Sequence, residues 1–389
     1  MLSKEEISFI QEHQNDDLFQ LALQKSKFPN LDLPKLIFQI QSKSKHKNKL
    51  PIWSSNPAIC LPVQLSLEQS SSEATALFKA QFISGNIADL TGGMGIDSWA
   101  FAQNPKNQIS YFEINTDLAA LTKENHSILN ISSIQHYNQD GISFIQDNYK
   151  KFDWIYLDPA RRGPKGEKVF LLKDCTPNVT ETLPYLKENT GLLLKVSPML
   201  DIDLCIKELN GISEVHIVCI QNEIKELLFI KKGISSFDPE IKIWDLSSPE
   251  ISVFCGKKST EKNQEIDYSE TKDFLYEPHV GILKAGFFKS LNLYNIQKIQ
   301  TNTHLYTSAS EISNFPGRKF KVLGKGNLDR KWIEKIVPEG KINISCRNFP
   351  LKPEEIRKKL KYQEGGNFYL FAYKNHNNIP ELAICQKTY

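Results

Sequence analysis

Between residue 86 and about residue 232 the sequence alternates short, apolar, β-rich runs with amphipathic segments. That rhythm limits the folds open to the chain more than any other feature. The runs are 87–89, 109–113, 134–137, 154–157, 192–196, 215–220 and 226–230. Helical candidates lie between them, such as 117–129 with Leu118, Leu121 and Leu129 on one side. Strand, helix and strand recurring at roughly 20–35 residues predict a parallel sheet covered on both faces. Only a short stretch that begins Gln221-Asn222-Glu223 separates the last two runs, too little for a crossover, so they must pair as an antiparallel hairpin. The expected fold class is α/β, a mostly parallel sheet finished by a late antiparallel hairpin.

The flanking regions read differently. Residues 1–80 read as helical: Ser3-Lys4-Glu5-Glu6 has the form of a capping box, and Leu18, Leu21, Ala22 and Lys25 keep helical spacing. Pro51, Pro57 and Pro62 predict irregular, extended chain after Lys49, and 67–82 returns to a helical pattern. The sheet domain is expected over 81–235. From about 233 to 273 the composition turns polar, as in a linker or a loosely packed strand region. A small α+β unit is expected to complete 236–316, and a second to occupy 317–389. Within the second, Pro353 opens a helix that ends in basic residues at Leu360, and Gly365-Gly366 turns the chain into a strand over 367–373.

A chain of 389 residues, 40% apolar and 24% charged, is too long for one core and too apolar for wholesale disorder. No run approaches the roughly 18 apolar residues of a membrane helix, and the N-terminus carries acids where a signal peptide carries bases. A cytoplasmic protein with no membrane partner is expected. The seven cysteines are an odd number with no C-x-x-C pair, which predicts buried free thiols rather than disulfides or a thiolate zinc site. The net charge of +3 is unevenly spread: residues 318–389 hold 16 Lys/Arg against 7 Asp/Glu, and the preceding 317 hold 32 against 38. A basic end on a mildly acidic body points to a polyanion. Lys43, Lys45, Lys47 and Lys49 around His46 form a second basic stretch, either a solvated surface or part of a substrate face.

Four acids fall at successive strand ends. Asp89-Leu90-Thr91-Gly92-Gly93-Met94-Gly95 follows the first strand and opens a helix, and its glycines let a ligand approach the backbone. It is not the G-x-G-x-x-G of dinucleotide folds, and the acid at its start suits an ammonium or sulfonium group better than a pyrophosphate. Glu113 ends the second strand, where a carboxylate can accept from ribose hydroxyls. Asp140, in Gln139-Asp140-Gly141, ends the third and could accept from an adenine amine. Asp158-Pro159-Ala160-Arg161 ends the strand beside the first, where a carboxylate and the carbonyls near proline can hold an amine N–H. Each acid alone is commonly a helix cap, but together they mark the edge where such sheets bind ligands.

These motifs resemble those of class I S-adenosylmethionine-dependent methyltransferases, whose Rossmann-like sheet also ends in a late hairpin. The resemblance implies that Asp89, Thr91, Gly92, Gly93 and Gly95 receive the methionine part of S-adenosylmethionine, Glu113 the ribose and Asp140 the adenine. The Asp158 turn is similar to the D-P-P-Y/F/R turn of nucleic-acid methyltransferases, which implies catalytic roles for Asp158, Pro159 and Arg161. A closer likeness rests on Glu68-Gln69-Ser70-Ser71-Ser72-Glu73-Ala74-Thr75, Tyr276-Glu277-Pro278, Leu283-Lys284-Ala285-Gly286 and His304-Leu305-Tyr306-Thr307-Ser308. Phe315-Pro316-Gly317-Arg318, Arg347-Asn348-Phe349-Pro350 and Gly365-Gly366-Asn367 extend it. It is to a bacterial group of methyltransferases with a ferredoxin-like unit, here within 236–316, and a C-terminal THUMP-like domain, here 317–389. True THUMP domains bind RNA, so the resemblance implies RNA as partner.

There are departures. Ala160 stands where an aromatic residue would stack on a target base, leaving Arg161 to stack or to hold phosphate. Uracil C-methylation needs a cysteine, and after the fifth strand this chain has Lys195-Val196-Ser197-Pro198. Cys175 reads as core. Methyl transfer to a nitrogen of an RNA base, without a metal, is the expectation. The alternatives are an RNA-binding protein with a non-catalytic methyltransferase-like domain, and a methyltransferase acting on a small molecule or protein.

Overall fold

The computed structural model describes residues 2–160, 171–181, 183–185, 190–233 and 236–388. Two compact units divide the chain, residues 1–214 with 226–237 and residues 215–225 with 238–389.

The first unit is built on β1 (Asn86–Asp89), β2 (Gln108–Phe112), β3 (Ile134–Tyr137), β4 (Trp154–Leu157) and β5 (Gly191–Val196). Chain order then gives β6 (Glu214–Ile220) and β7 (Glu223–Lys231), joined at Gln221-Asn222 with both residues at positive φ, the geometry of a type I′ hairpin turn. The sheet runs β3-β2-β1-β4-β5-β7, with β7 antiparallel to β5 and β6 folded back as the hairpin. Ile87, Ala88, Ile155, Leu157, Leu192, Leu193 and Leu194 are fully buried, as expected of central parallel strands covered on both faces. Asp89 lies beside Tyr111 and Tyr156, and Tyr111 beside His136, so the carboxyl ends of four adjacent strands are level.

The N-terminal region is helical, and its first helix, Lys4–Glu12, starts with the expected capping box at Ser3 and Glu6. Phe9, Ile10, Leu21, Leu33, Leu36 and Ile40 form one core. Leu50, Trp53, Ile59, Leu61, Leu67 and Ala76 form another with Met94, Ile96, Trp99 and Ala100, so this region packs onto the short helix Ile96–Phe101 that follows the glycine turn. Three expectations change here. Pro51 opens a helix, Pro51–Ser55, because at the first helical position its missing N–H costs nothing. The pattern over 67–82 is two helices, Gln64–Gln69 and Glu73–Ala80, separated at Ser70-Ser71-Ser72, where Ser72 caps the second. The lysine stretch is only half a surface: Lys43 is buried and donates to the carbonyls of Asn56 (2.8 Å) and Ile59 (2.6 Å), and burial lowers its pKa to about 8. Lys49 donates to Leu67 O (2.7 Å), while Lys45 and Lys47 are exposed.

In the second unit the polar stretch expected as a linker carries an antiparallel pair, β8 (Glu240–Asp245) and β9 (Ser252–Gly256). In β8 the buried Ile241 and Ile243 alternate with the half-buried Glu240, Lys242 and Trp244, which hides the strand in a count of composition. A seven-stranded sheet follows: β10 (Phe274–Pro278), β11 (Gln297–Lys298), β12 (Tyr306–Ser308), β13 (Gly317–Gly326), β14 (Asn343–Arg347), β15 (Phe368–Lys374) and β16 (Pro380–Thr388). Its order is β11-β12-β10-β13-β16-β15-β14, so both C-terminal segments share one sheet through β13. Leu275, Leu305, Phe320, Phe371, Tyr373 and Ala383 pack together from four of these strands, β10, β13, β15 and β16, and the loop before β12. Of the seven free cysteines, Cys175, Cys205, Cys219 and Cys385 are buried; Cys255 is exposed, because it takes the outward position on β9. Among the described residues no helix is long and apolar enough to cross a membrane.

Candidate active site at the carboxyl ends of the parallel strands

The glycine turn is held from below and from one side. Gly92 passes so close to Tyr111 that a Cβ there would lie 2.2 Å from its ring, and Gly92 N donates to Phe112 O (2.8 Å). The Gly93 carbonyl accepts from Tyr111 OH (2.5 Å) and Thr122 Oγ1 (3.1 Å). Gly95 is left-handed (φ 79°), and His126 Nε2 lies 3.0 Å from its carbonyl. Burial pushes His126 down to about 4, so a neutral imidazole supports the turn.

The four acids end four neighbouring strands, but they do different work. Asp89 is fully buried beneath the turn, accepting from Ser98 Oγ (2.6 Å) and Thr91 N (3.2 Å). Burial, with Asp97 and Asp158 nearby, pushes its carboxyl up to about 7 despite the Ser98 bond. Glu113 accepts from Gly93 N (2.9 Å) and Asn115 N (2.8 Å), which ties the second strand end to the glycine turn. Asn138, beyond the third strand, donates to the carbonyls of Glu113 (2.9 Å) and Ile114 (3.1 Å) and draws that loop in. Asp140 is exposed and caps the helix Gly141–Asn148, accepting from Ile142 N (3.0 Å) and Ser143 Oγ (2.7 Å). Asp158 N donates to Thr91 Oγ1 (2.7 Å), locking the fourth strand end to the first. Pro159 is buried behind it and Ala160 is exposed. Arg161 lies outside the described residues.

Sequence reasoning missed a charge network under these loops. Lys195, in the otherwise apolar β5, pairs with Asp158 Oδ2. Burial would lower its pKa, but Asp158, Asp97 and Glu226 hold it well above the usual lysine range. Lys79, fully buried on Glu73–Ala80, donates to both oxygens of Glu226 (2.8 and 2.9 Å) and lies 3.2 Å from Asp97 Oδ1. Asp97 Oδ2 accepts from Ser71 Oγ and Tyr156 OH, each at 2.8 Å. The signals were present: a lysine inside an apolar strand, another on the inward face of a helix, and Ser71 within the quoted upstream motif. Ile114 was also missed, an apolar side chain 70% exposed directly after Glu113.

A level sheet edge with a glycine turn, strand-end acids and a late hairpin defines a class I methyltransferase architecture. Comparison with known proteins agrees. Residues 274–316 match a ferredoxin-like domain family and 317–387 a THUMP domain-like family. A crystal structure described as that of a methyltransferase from Porphyromonas gingivalis W83 is similar over 100% of both chains, with 30% identity and a TM-score of 0.87. An RNA methyltransferase of Mycoplasma mobile is 29% identical over 106 residues, 27% of this chain and 28% of that relative. The chain belongs to the methyltransferase family of the Porphyromonas protein.

Proposed function

We propose that the protein transfers a methyl group from S-adenosylmethionine to a nitrogen of an RNA base, with Asp158 and the carbonyl of Pro159 orienting that nitrogen. The observation that carries this reading is the Asp158 turn itself. It is bonded to the glycine turn through Thr91 and fixed from below by Lys195. The residues present fit the donor. A Cβ built at Gly93 would meet nothing nearer than Thr91 O at 3.9 Å, so the outer face of the turn is open beside Glu113. The donor supplies an electrophilic methyl on a sulfonium. The chain's part is to align the acceptor and exclude water.

Each acid then has a role. Glu113, already anchored by two backbone N–H groups, keeps lone pairs for ribose hydroxyls. Asp140 presents its capped loop to the adenine edge, and Ile114 covers the face of the ring. Asp89 holds the turn rather than the ligand, and its carboxyl near neutrality would favour ionisation when a cation lies above it. Lys195 holds one oxygen of Asp158, while Oδ1 has no partner among the described residues and is left to accept an N–H. An acceptor fixed in place by a buried lysine needs no reorientation before it accepts. RNA as substrate is supported by the basic C-terminal segment and by the match to an RNA methyltransferase.

Mass spectrometry of nucleosides from cells with and without the gene should show one methylated base that depends on it. Asp158→Asn should lower kcat by about 10²–10³ with donor binding intact by calorimetry. A full-rate Asp158→Asn enzyme would remove the mechanism. Absence of any RNA change would favour a small-molecule or protein acceptor, or a binding protein.

A further inference from the structure

Several motifs that the methyl-transfer site leaves unused converge in the second unit. Glu277 on β10 is 4% exposed and lies opposite Arg318 on β13. Arg318 donates to Glu277 Oε2 through Nε (2.6 Å) and Nη2, and Arg347, the last residue of β14, donates to Oε1 through Nη2. One buried carboxylate therefore fixes two guanidiniums whose side chains stay 38% and 37% exposed. The local sequence is built for this approach: a Cβ at Gly317 would lie 2.2 Å from Glu277 O, so only glycine lets β13 start there and deliver Arg318.

The cluster carries one positive charge in excess. Arg347 Nη1 reaches the Cys346 carbonyl (2.9 Å), but Arg318 Nη1 and Arg347 Nε have no partner among the described residues. His304 stands in the same field. Burial first, then Lys298 and Arg347, push its imidazole down to about 4, and its buried Nδ1 has no hydrogen-bond partner. A second arginine on the same carboxylate leaves charge and forked donors facing outward, the arrangement that matches phosphate oxygens.

We propose that Arg318 and Arg347, held by Glu277, form a binding site for a backbone phosphate of the RNA substrate. The proposal rests on the reading of the substrate as RNA. It differs from a general basic surface in that two named guanidiniums and one buried carboxylate carry it.

The test uses the full chain and a fluorescent single-stranded oligouridylate, with anisotropy read across a salt series. Arg318→Gln and Arg347→Gln should each weaken binding about fivefold and reduce the slope of log K against log salt by about 0.7. Arg318→Lys and Arg347→Lys should recover the slope but not the affinity, since a point charge replaces the fork. Melting temperature and S-adenosylmethionine binding report on the fold of each variant. If a Gln variant melts early, the matching Lys variant decides, and wild-type affinity in it would overturn the fork. The NMR signals of the two Nε–H groups, assigned from the Lys variants, should move when inorganic phosphate is added. Oligonucleotide binding untouched by the Gln variants, with unmoved Nε–H signals, sinks the site and leaves the RNA reading standing. Signals that move with phosphate while no oligonucleotide binds keep the anion site and sink the RNA reading.

Discussion

Glu226 and Asp97 in the first unit and Glu277 in the second are carboxylates buried to a similar degree, at 2%, 8% and 4% exposure. Their cations differ. Lys79, which joins the first two, is fully buried, so its charge is spent inside the protein. Arg318 and Arg347 are more than a third exposed, and their charge exceeds that of the carboxylate between them. A closed cluster of this kind fixes what lies above it, here the β4 and β5 ends that carry Asp158 and Lys195. An open cluster fixes its own cations and offers them to a ligand. The chain thus uses buried acids twice, once to position and once to present.

The sharpest way to break that contrast is to remove one cation from each cluster. Lys79→Met leaves Glu226 and Asp97 buried with Lys195 as the remaining neighbour in charge. Burial already outweighs the cations at Glu226 and raises its pKa, whereas at Asp97 burial is outweighed by Lys79, Lys195 and the Tyr156 and Ser71 hydrogen bonds together, which lower it. Stability measured by urea unfolding should fall by about 3–5 kcal/mol. Arg347→Gln leaves Glu277 still paired with Arg318 and should cost about 1 kcal/mol or less. Equal losses would show that the second cluster is a fold clamp like the first.

Next in size is the pH dependence that Asp89 imposes. Its carboxyl is raised from 3.8 to about 7 by burial, so the native state holds this proton more tightly than the unfolded chain. The associated stability is fully present below the unfolded value and is lost as pH rises through about 7. The upper bound is about 4 kcal/mol, less if the ionised form recruits water. Asp89→Asn should flatten unfolding free energy between pH 4 and pH 8 while wild type declines over that range. A parallel decline in both proteins would mean that the carboxyl ionises freely in the fold, and that only the Lys79 cluster makes burial costly.

Much of this was legible because the signals are local. Short apolar runs, helical spacing and the brief gap at Gln221-Asn222-Glu223 pointed to the sheet and its hairpin, and strand ends gave the level of Glu113, Asp140 and Asp158. What the sequence concealed depends on distant partners. Lys79 meets Glu226 across 147 residues, and no local pattern joins them. Lys43 sits in a row of alternating lysines, yet its ammonium is used on carbonyls freed around Pro57. The motif around Asp89 placed a glycine turn after the first strand, but its acid is buried because Ser98, on the helix that follows, holds one carboxylate oxygen. Strand β8 was hidden for a related reason: Glu240 and Lys242 stand on its less buried side, and only pairing with β9 reveals the inward set.

The smallest expected effect concerns Ile114. An apolar side chain 70% exposed beside a carboxylate gains only when a ligand covers it. If the adenine ring of S-adenosylmethionine packs there, covering part of the side chain is worth about 1 kcal/mol. Ile114→Ala should therefore raise the donor's dissociation constant about fivefold by calorimetry, with unfolding free energy unchanged. The buried-cluster variants predict the reverse pattern, lost stability before lost affinity. Unaltered donor affinity in Ile114→Ala would place the ring away from Glu113 and move the donor site off this edge of the second strand.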